Sequence, residues 1–235
     1  FTNPLFEYKR NAAGIDLGFR LPAQLLLNTG YKLIMTDRRE ENVEVESLPD
    51  NKDDIYSVEL RWNGLDFMTP KAGYEKLIRS ADFEGATPEN RKHAYAGQRR
   101  DVIRIGVDTF PSENFSVGLG YYHKWIDYKE DIGLNKDERD GFDISADYTF
   151  RSLAKLHGYF DYEWIEFSPD QFRLSAPVGA WEAKQKDRTW GYGLGAEFYV
   201  IPEKLTLYIL HDYLKSNGNV DFTLDPALFA AATGL

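Results

Sequence analysis

From Tyr56 to Trp62 the chain alternates without a break: Tyr56, Val58, Leu60 and Trp62 are apolar or aromatic, and Ser57, Glu59 and Arg61 between them are polar. A period of two is that of a β-strand, whose successive side chains point to opposite faces. The same pattern returns in Ile103, Ile105 and Val107 against Arg104, Gly106 and Asp108. It returns again in Phe142, Ile144, Ala146, Tyr148 and Phe150 against Asp143, Ser145, Asp147 and Thr149. Leu156, Phe160, Tyr162 and Trp164 oppose His157, Asp161 and Glu163, and Trp190, Tyr192, Leu194, Ala196 and Phe198 oppose Gly191, Gly193, Gly195 and Glu197. Two weaker copies mark a first strand near 13–21 (Ile15, Leu17, Phe19 and Leu21 against Asp16, Gly18 and Arg20) and a tenth near 205–214 (Leu205, Leu207 and Ile209 against Thr206, Tyr208 and Leu210). With candidates at about 25–34, 68–79 and 116–128, the pattern predicts ten strands.

The connections alternate in length. Short turns are predicted around Pro22-Ala23, Asn63-Gly64, Pro111-Ser112-Glu113-Asn114, Arg151-Ser152 and Ile201-Pro202-Glu203. Long polar connections are predicted at about 36–54, 80–100, 129–141 and 168–188. Short turns on one rim and long loops on the other are the habit of outer-membrane barrels, with the short turns periplasmic and the long loops extracellular. Aromatic residues gather near strand ends, as in Tyr121, Tyr122, Trp125 and Tyr128, or Tyr162, Trp164 and Phe167, which fits interfacial girdles.

The fold expected is therefore all-β: an antiparallel up-and-down transmembrane β-barrel, with about ten strands in a single segment spanning 1–235. Its apolar face meets the bilayer of a bacterial outer membrane. Its polar face lines a lumen and carries Asp16, Arg20, Glu59, Arg61, Arg104, Asp108, Asp143, Asp147, His157, Asp161, Glu163, Gly191, Gly193, Gly195 and Glu197 as candidate partner contacts. The glycines at 14, 18, 106, 191, 193 and 195 suggest a smooth wall that something approaches closely. A soluble sandwich or lipocalin-like barrel would use the same alternation with its apolar side inward. Against it stand strand candidates that run past the apolar band, and more Gly, Asp, Glu and Arg on the polar face than a solvated surface needs.

Composition narrows the class. No apolar run approaches the roughly 20 residues of a membrane helix, and the mean hydropathy of −0.50 fits a barrel, where alternation averages out. Aromatic residues make up 15% of the 235 residues. There is no cysteine, which removes disulfides, zinc clusters, thiol nucleophiles and Cys-x-x-Cys-His haem attachment. The net charge of −10 argues against a nucleic-acid partner.

Candidate chemistry is thin, and no catalytic role is expected. His93, His123, His157 and His211 lie on different elements without metal-ligand spacing, so none is read as a ligand. The segment Asn135 to Gly141 lacks the spacing of a calcium loop and reads as a solvated acidic loop. The carboxylates Asp143, Asp147, Asp161 and Glu163 are what neighbouring strands of a polar wall produce, and would solvate a lumen or meet a partner's basic groups.

If the turns at 22 and 202 are periplasmic, strand one starts and strand ten ends at the extracellular rim. Barrels ordinarily keep both termini periplasmic, and the tail from Asp225-Pro226 to Leu235 offers no closing strand. The ten strands are thus expected to form an arc of a larger barrel.

Lys52-Asp53-Asp54-Ile55-Tyr56-Ser57-Val58 and Gly73-Tyr74-Glu75-Lys76-Leu77-Ile78-Arg79-Ser80-Ala81-Asp82 resemble the MtrB/PioB family of decahaem-associated outer-membrane proteins. Tyr95-Ala96-Gly97-Gln98-Arg99-Arg100-Asp101, and Trp181 through Asp187 into Gly193-Leu194-Gly195, are similar to that family's spacing, although its barrels are far longer. The resemblance implies a porin-like sheath that encloses a periplasmic multihaem c-type cytochrome and supports electron transfer across the outer membrane. It further allows an extracellular multihaem cytochrome as a second partner. All haem is expected in the partner and none in this chain. The alternative is a diffusion porin whose same wall lines water.

Overall fold

The computed structural model describes residues 6–40, 50–81, 97–128, 134–151, 153–169, 181–201 and 204–224. They form one ten-stranded sheet in chain order: β1 (Phe6–Leu21), β2 (Leu25–Glu40), β3 (Asn51–Trp62), β4 (Met68–Ala81), β5 (Gln98–Ser112), β6 (Phe115–Tyr128), β7 (Leu134–Phe150), β8 (Ala154–Pro169), β9 (Trp181–Ile201) and β10 (Leu205–Leu224). Every neighbouring pair is antiparallel, as hairpins dictate. β1 and β10 are not paired with each other, so the sheet is open and each outer edge keeps unpaired backbone groups.

Residues directly opposite on antiparallel strands share a face, so one row of the ladder assigns sides for the whole sheet. Asp16 faces Gly30, and the row continues through Ser57, Glu75, Val102, Lys124, Arg139, Ile165, Asp187 and Gly218. This is the polar face. Its opposite carries Leu17, Phe19, Val58, Leu60, Ile103, Ile105, Leu119, Ile144, Tyr148 and Leu194, all exposed. Water does not tolerate a contiguous apolar surface of this extent on a lone domain, whereas lipid does. Burial is concentrated on the polar side, where Ile34, Leu77, Val102 and Ile126 are buried, whereas Ala154 is the one buried apolar residue of the other face among the described residues.

An aromatic row closes the apolar band on the side of the longer connections. Tyr121, Phe142, Tyr162 and Trp190 stand directly opposite one another across β6 to β9, and Phe142 and Tyr162 stack at 5.6 Å. On β2 and β3 the row continues through Leu60 and Leu27, and Tyr31 and Tyr56, nearer the longer connections on the same face, pack with ring centroids 5.2 Å apart. Not every aromatic residue expected in the girdle belongs to it. Tyr122, Tyr128 and Phe167 fall on the polar face by register, because adjacent residues of a strand cannot share a side.

The short turns sit where expected among the described residues. Ala23 and Gln24 both take positive φ of 59° between β1 and β2, and the Trp62 indole donates to the Ala23 carbonyl at 3.0 Å. Glu113 and Asn114 alone join β5 to β6. Ser152, Pro202 and Glu203 lie outside the described residues, as does the tail from 225. The longer connections are shorter than expected. β2 runs on to Glu40, β7 takes in 134–141 and β9 takes in 181–188, so the segment Asn135–Gly141, expected as a solvated acidic loop, is strand. Both faces are polar there, which erases the alternation while the ladder continues.

Candidate functional site

Register places all fifteen expected polar-face residues, from Asp16 to Glu197, on the same side of the sheet. They are not distributed evenly. A single row reads Arg20, Leu26, Arg61, Lys71, Gly106, Gly120, Asp143, Asp161, Gly191, Leu214. Charge therefore changes sign along it, with cations on β1, β3 and β4 and carboxylates on β7 and β8. Arg61 is held by Glu59 at 2.5 Å and Lys71 by Asp108 at 2.8 Å. Asp143 and Asp161 stand directly opposite each other with no ion pair among the described residues, an arrangement that destabilises an isolated sheet. Around them Asp147 pairs with Lys155 at 3.2 Å, Asp212 accepts the Tyr159 hydroxyl at 2.7 Å, and Glu163 accepts the Tyr122 hydroxyl.

A second polar sector, nearer the longer connections, was not among the expected site residues. Arg79 grips Asp53 with two hydrogen bonds, 2.7 Å from Nε and 2.9 Å from an amino group. Arg100 reaches Glu75 at 2.7 Å, and Arg139 reaches Asp137 at 2.6 Å. Asp53 and Asp137 are buried, alongside Leu77, Val102 and Ile126. The segments that carry the family resemblance, around Asp53, Glu75–Arg79 and Arg99–Asp101, are thus brought together as an ionic lattice across β3, β4 and β5. Counting back by twos from Glu59 through Ser57 and Ile55 to Asp53 would have found its first member.

The glycines have a different role from the one expected. A Cβ at Gly193 would lie against Cε1 of Tyr159, and one at Gly195 against Cε1 of His157, both far inside contact distance. At Gly191 it would meet Asp161 Oδ2 at 2.7 Å and Leu214 Cδ1 at 3.3 Å. The groups that approach this backbone closely are side chains of the neighbouring strands, and they fill the hollows. The wall is therefore not smooth at Gly191, Gly193 and Gly195.

No group of three or more His, Cys, Asp or Glu suited to a metal occurs among the described residues. His123 lies on the apolar face with Nδ1 2.7 Å from Asp140, His211 packs against the Tyr192 ring at 5.9 Å, and His93 falls outside the described residues. On the polar face, β10 departs from its surroundings in polarity: Tyr208, Leu210 and Leu214 stand there beside the glycines and Glu197 of β9, and all three are exposed, as is nearly every described residue of this edge strand.

Residues 1–231 match the family model for the outer membrane beta-barrel porin MtrB/PioB. No curated protein matches. Among solved structures, the unliganded ferric citrate transporter FecA is similar over 90% of this chain and 38% of its own, at 10% identity and a TM-score of 0.47. The outer membrane transporter YddB from Escherichia coli is similar over 91% of this chain and 35% of its own, at 12% identity and a TM-score of 0.38. A loop-deletion form of the Vibrio cholerae outer membrane protein OmpT is similar over 94% of this chain and 99% of its own, at 7% identity and a TM-score of 0.40. The chain thus spans well under two thirds of the first two.

Proposed function

Because the chain belongs to the MtrB/PioB family of β-barrel porins of the bacterial outer membrane, we propose that its polar face encloses a multihaem c-type cytochrome and that the barrel serves as an insulating sheath for transmembrane electron transfer. The observation that carries this reading is the exposed trio Tyr208, Leu210 and Leu214 on the polar side of β10. A wall that met only water would gain nothing from apolar side chains there, whereas one pressed against a folded protein buries them. Asp143 and Asp161, without an ion pair among the described residues, supply a surface for a partner's lysines or arginines on the same face. The partner's haems would carry the electrons. This chain would exclude lipid, hold the partner upright and do no redox chemistry itself. An extracellular multihaem cytochrome would dock at the rim of the longer connections.

Such a partner does not fit within ten closed strands, since diameter grows with strand number and about eight leave room only for side chains or one small ligand. The sheath needs a wall of roughly twenty or more strands, within the range of large outer-membrane barrels. The open edges of β1 and β10 are where it would continue.

Reconstitution tests the reading. Liposomes carrying barrel and cytochrome should reduce an enclosed dye from an external donor, and barrel alone should show neither haem absorbance nor dye reduction. Dye reduction by the barrel alone would overturn it.

The row of Arg20, Arg61 and Lys71 on one side and Asp143 and Asp161 on the other favours a second reading, a diffusion porin. Separated rows of opposite charge orient polar solutes in a pore. Swelling of barrel-only liposomes in small sugars or amino acids would support it.

A further inference from the structure

Beyond the aromatic row, the apolar face turns polar; the exposed cations of β3 and β5 are paired there, and Lys76 on β4, without an ion pair among the described residues, is half-buried. Lys52 pairs with Asp54 at 3.2 Å and Arg99 with Asp101 at 2.9 Å, and Asp140 lies within hydrogen-bond reach of His123 Nδ1 at 2.7 Å. β9 and β10 break this habit. Lys186 and Arg188 on β9, and Lys215, Asn217 and Asn219 on β10, occupy the same outward side by register, and all are exposed. Arg188 and Lys215 have no ion pair among the described residues, and Lys186 has only Glu166 at 3.7 Å, both half exposed. Three cations and the Asn217 amide thus converge, with Glu166 beside Lys186 and with Asp221, one step beyond, accepting the Asn219 amide at 3.2 Å. They sit at the edge of an aromatic platform in which Trp190 and Tyr213 pack at 5.3 Å and Tyr192 and Tyr213 at 5.5 Å. An open groove of about 420 Å³ runs past Trp164, Glu166, Lys186 and Arg188.

We propose that this patch is a lipid site for the phosphates of lipid A in the outer leaflet. An outward cation above an aromatic belt faces head groups, since the belt marks the level at which acyl chains give way to the interface. A cation with its own carboxylate is already satisfied there. Arg188 and Lys215 are not, and Arg188 offers a planar fork that matches phosphate oxygens. Lipid A carries a phosphate at each end of its disaccharide, which suits separated cations on two strands with the Asn217 amide beside them. The assignment to the outer leaflet follows from the longer connections being extracellular.

Native mass spectrometry of the purified full chain in detergent, titrated with bis-phosphorylated lipid A, tests this. The wild type should retain the lipid. The Arg188→Gln/Lys215→Gln variant should retain it at least about tenfold more weakly. Lys52→Gln, which removes a cation that already has a partner, should bind as the wild type does. Equal retention by the double variant overturns the proposal. So does equal retention of fully dephosphorylated lipid A by the wild type, an arm that needs no variant to fold. Phosphatidylglycerol held as tightly as lipid A also overturns it, by showing a generic anionic surface or the opposite leaflet. Each outcome stands whether or not a cytochrome occupies the lumen.

Discussion

The Tyr31 hydroxyl donates to Asp54 Oδ1 across β2 and β3 at 2.6 Å, and the relationship recurs along the sheet. Tyr74 donates to Asp101 across β4 and β5, and Tyr121 to Asp140 across β6 and β7 at 2.5 Å. In each case the tyrosine stands on the apolar face and the carboxylate lies on the next strand, one same-face step beyond the tyrosine's opposite residue toward the longer connections. A phenol at this level has its ring in the apolar layer and its hydroxyl at the polar edge, so one bond joins the last apolar residue to the first charged one.

The three acceptors should not be equivalent. Asp101 is 1% exposed and also holds Arg99 at 2.9 Å, whereas Asp54 lies nearer solvent beside Lys52. Asp101→Ala, which strands a hydroxyl and a guanidinium beside a buried site, should cost about 1–3 kcal/mol. Asp54→Ala should cost clearly less. Reversible urea unfolding in lipid vesicles, followed by tryptophan fluorescence, orders the two.

Ile144 and Ser145 are neighbours in β7 on opposite faces. Ile144→Lys should destabilise the folded barrel by about 2–4 kcal/mol if it lies near the bilayer midplane, whereas Ser145→Lys, flanked on its own face by Asp143 and Asp147, should change little. Equal loss of heat-modifiable, detergent-resistant folding in both variants would contradict a lipid-facing apolar side.

How far the sequence reveals this fold depends on where a residue sits along its strand. In the apolar band, side-chain polarity reports the face directly, and the expected sides of Val58, Glu59, Ile105, Arg104, Ile144 and Asp147 agree with the register. Past the band, Glu138 and Asp140 on one face and Asp137 and Arg139 on the other are all charged, so the strand continues without a signal. The buried Asp53–Arg79 pair was hidden for the same reason. Glycines mislead in another way. Gly195 is visible in the sequence, but the His157 ring that fills its hollow is supplied by another strand, and only the ladder brings the two together.

If these glycines exist to admit neighbouring side chains, their substitution should harm the barrel by itself. Gly195→Ala should cost about 1–3 kcal/mol, the range of overpacking, because the His157 ring occupies the space of the new methyl group. His157→Ala on top of it should restore part of the loss, giving a coupling of opposite sign to the single change. Additive effects in a double-mutant cycle on barrel without any partner would instead make the glycine stripe a contact surface.

β10 offers the sharpest separation of wall from partner, because it is apolar on both sides where most strands are apolar on one. Ile209 lies opposite Ala196 on the apolar face, and Leu210 lies opposite Gly195 on the polar face. Arginine at position 209 would place a charge in hydrocarbon and should cost about 2–4 kcal/mol near the midplane. Arginine at 210 would reach the lumen, where folding has no reason to resist it. Under the sheath reading, however, Leu210 packs against the enclosed protein, and Leu210→Arg would bury an unpaired charge in that contact. Ile209→Arg should therefore lower yield and detergent resistance of the barrel. Leu210→Arg should leave both intact and lower cytochrome retention by at least about tenfold, a modest loss for a charge in a packed interface. Haem absorbance per barrel after affinity purification reads the second effect. If Leu210→Arg retains the cytochrome fully while changing solute flux through barrel-only liposomes, the polar face lines water and the diffusion channel is the better account.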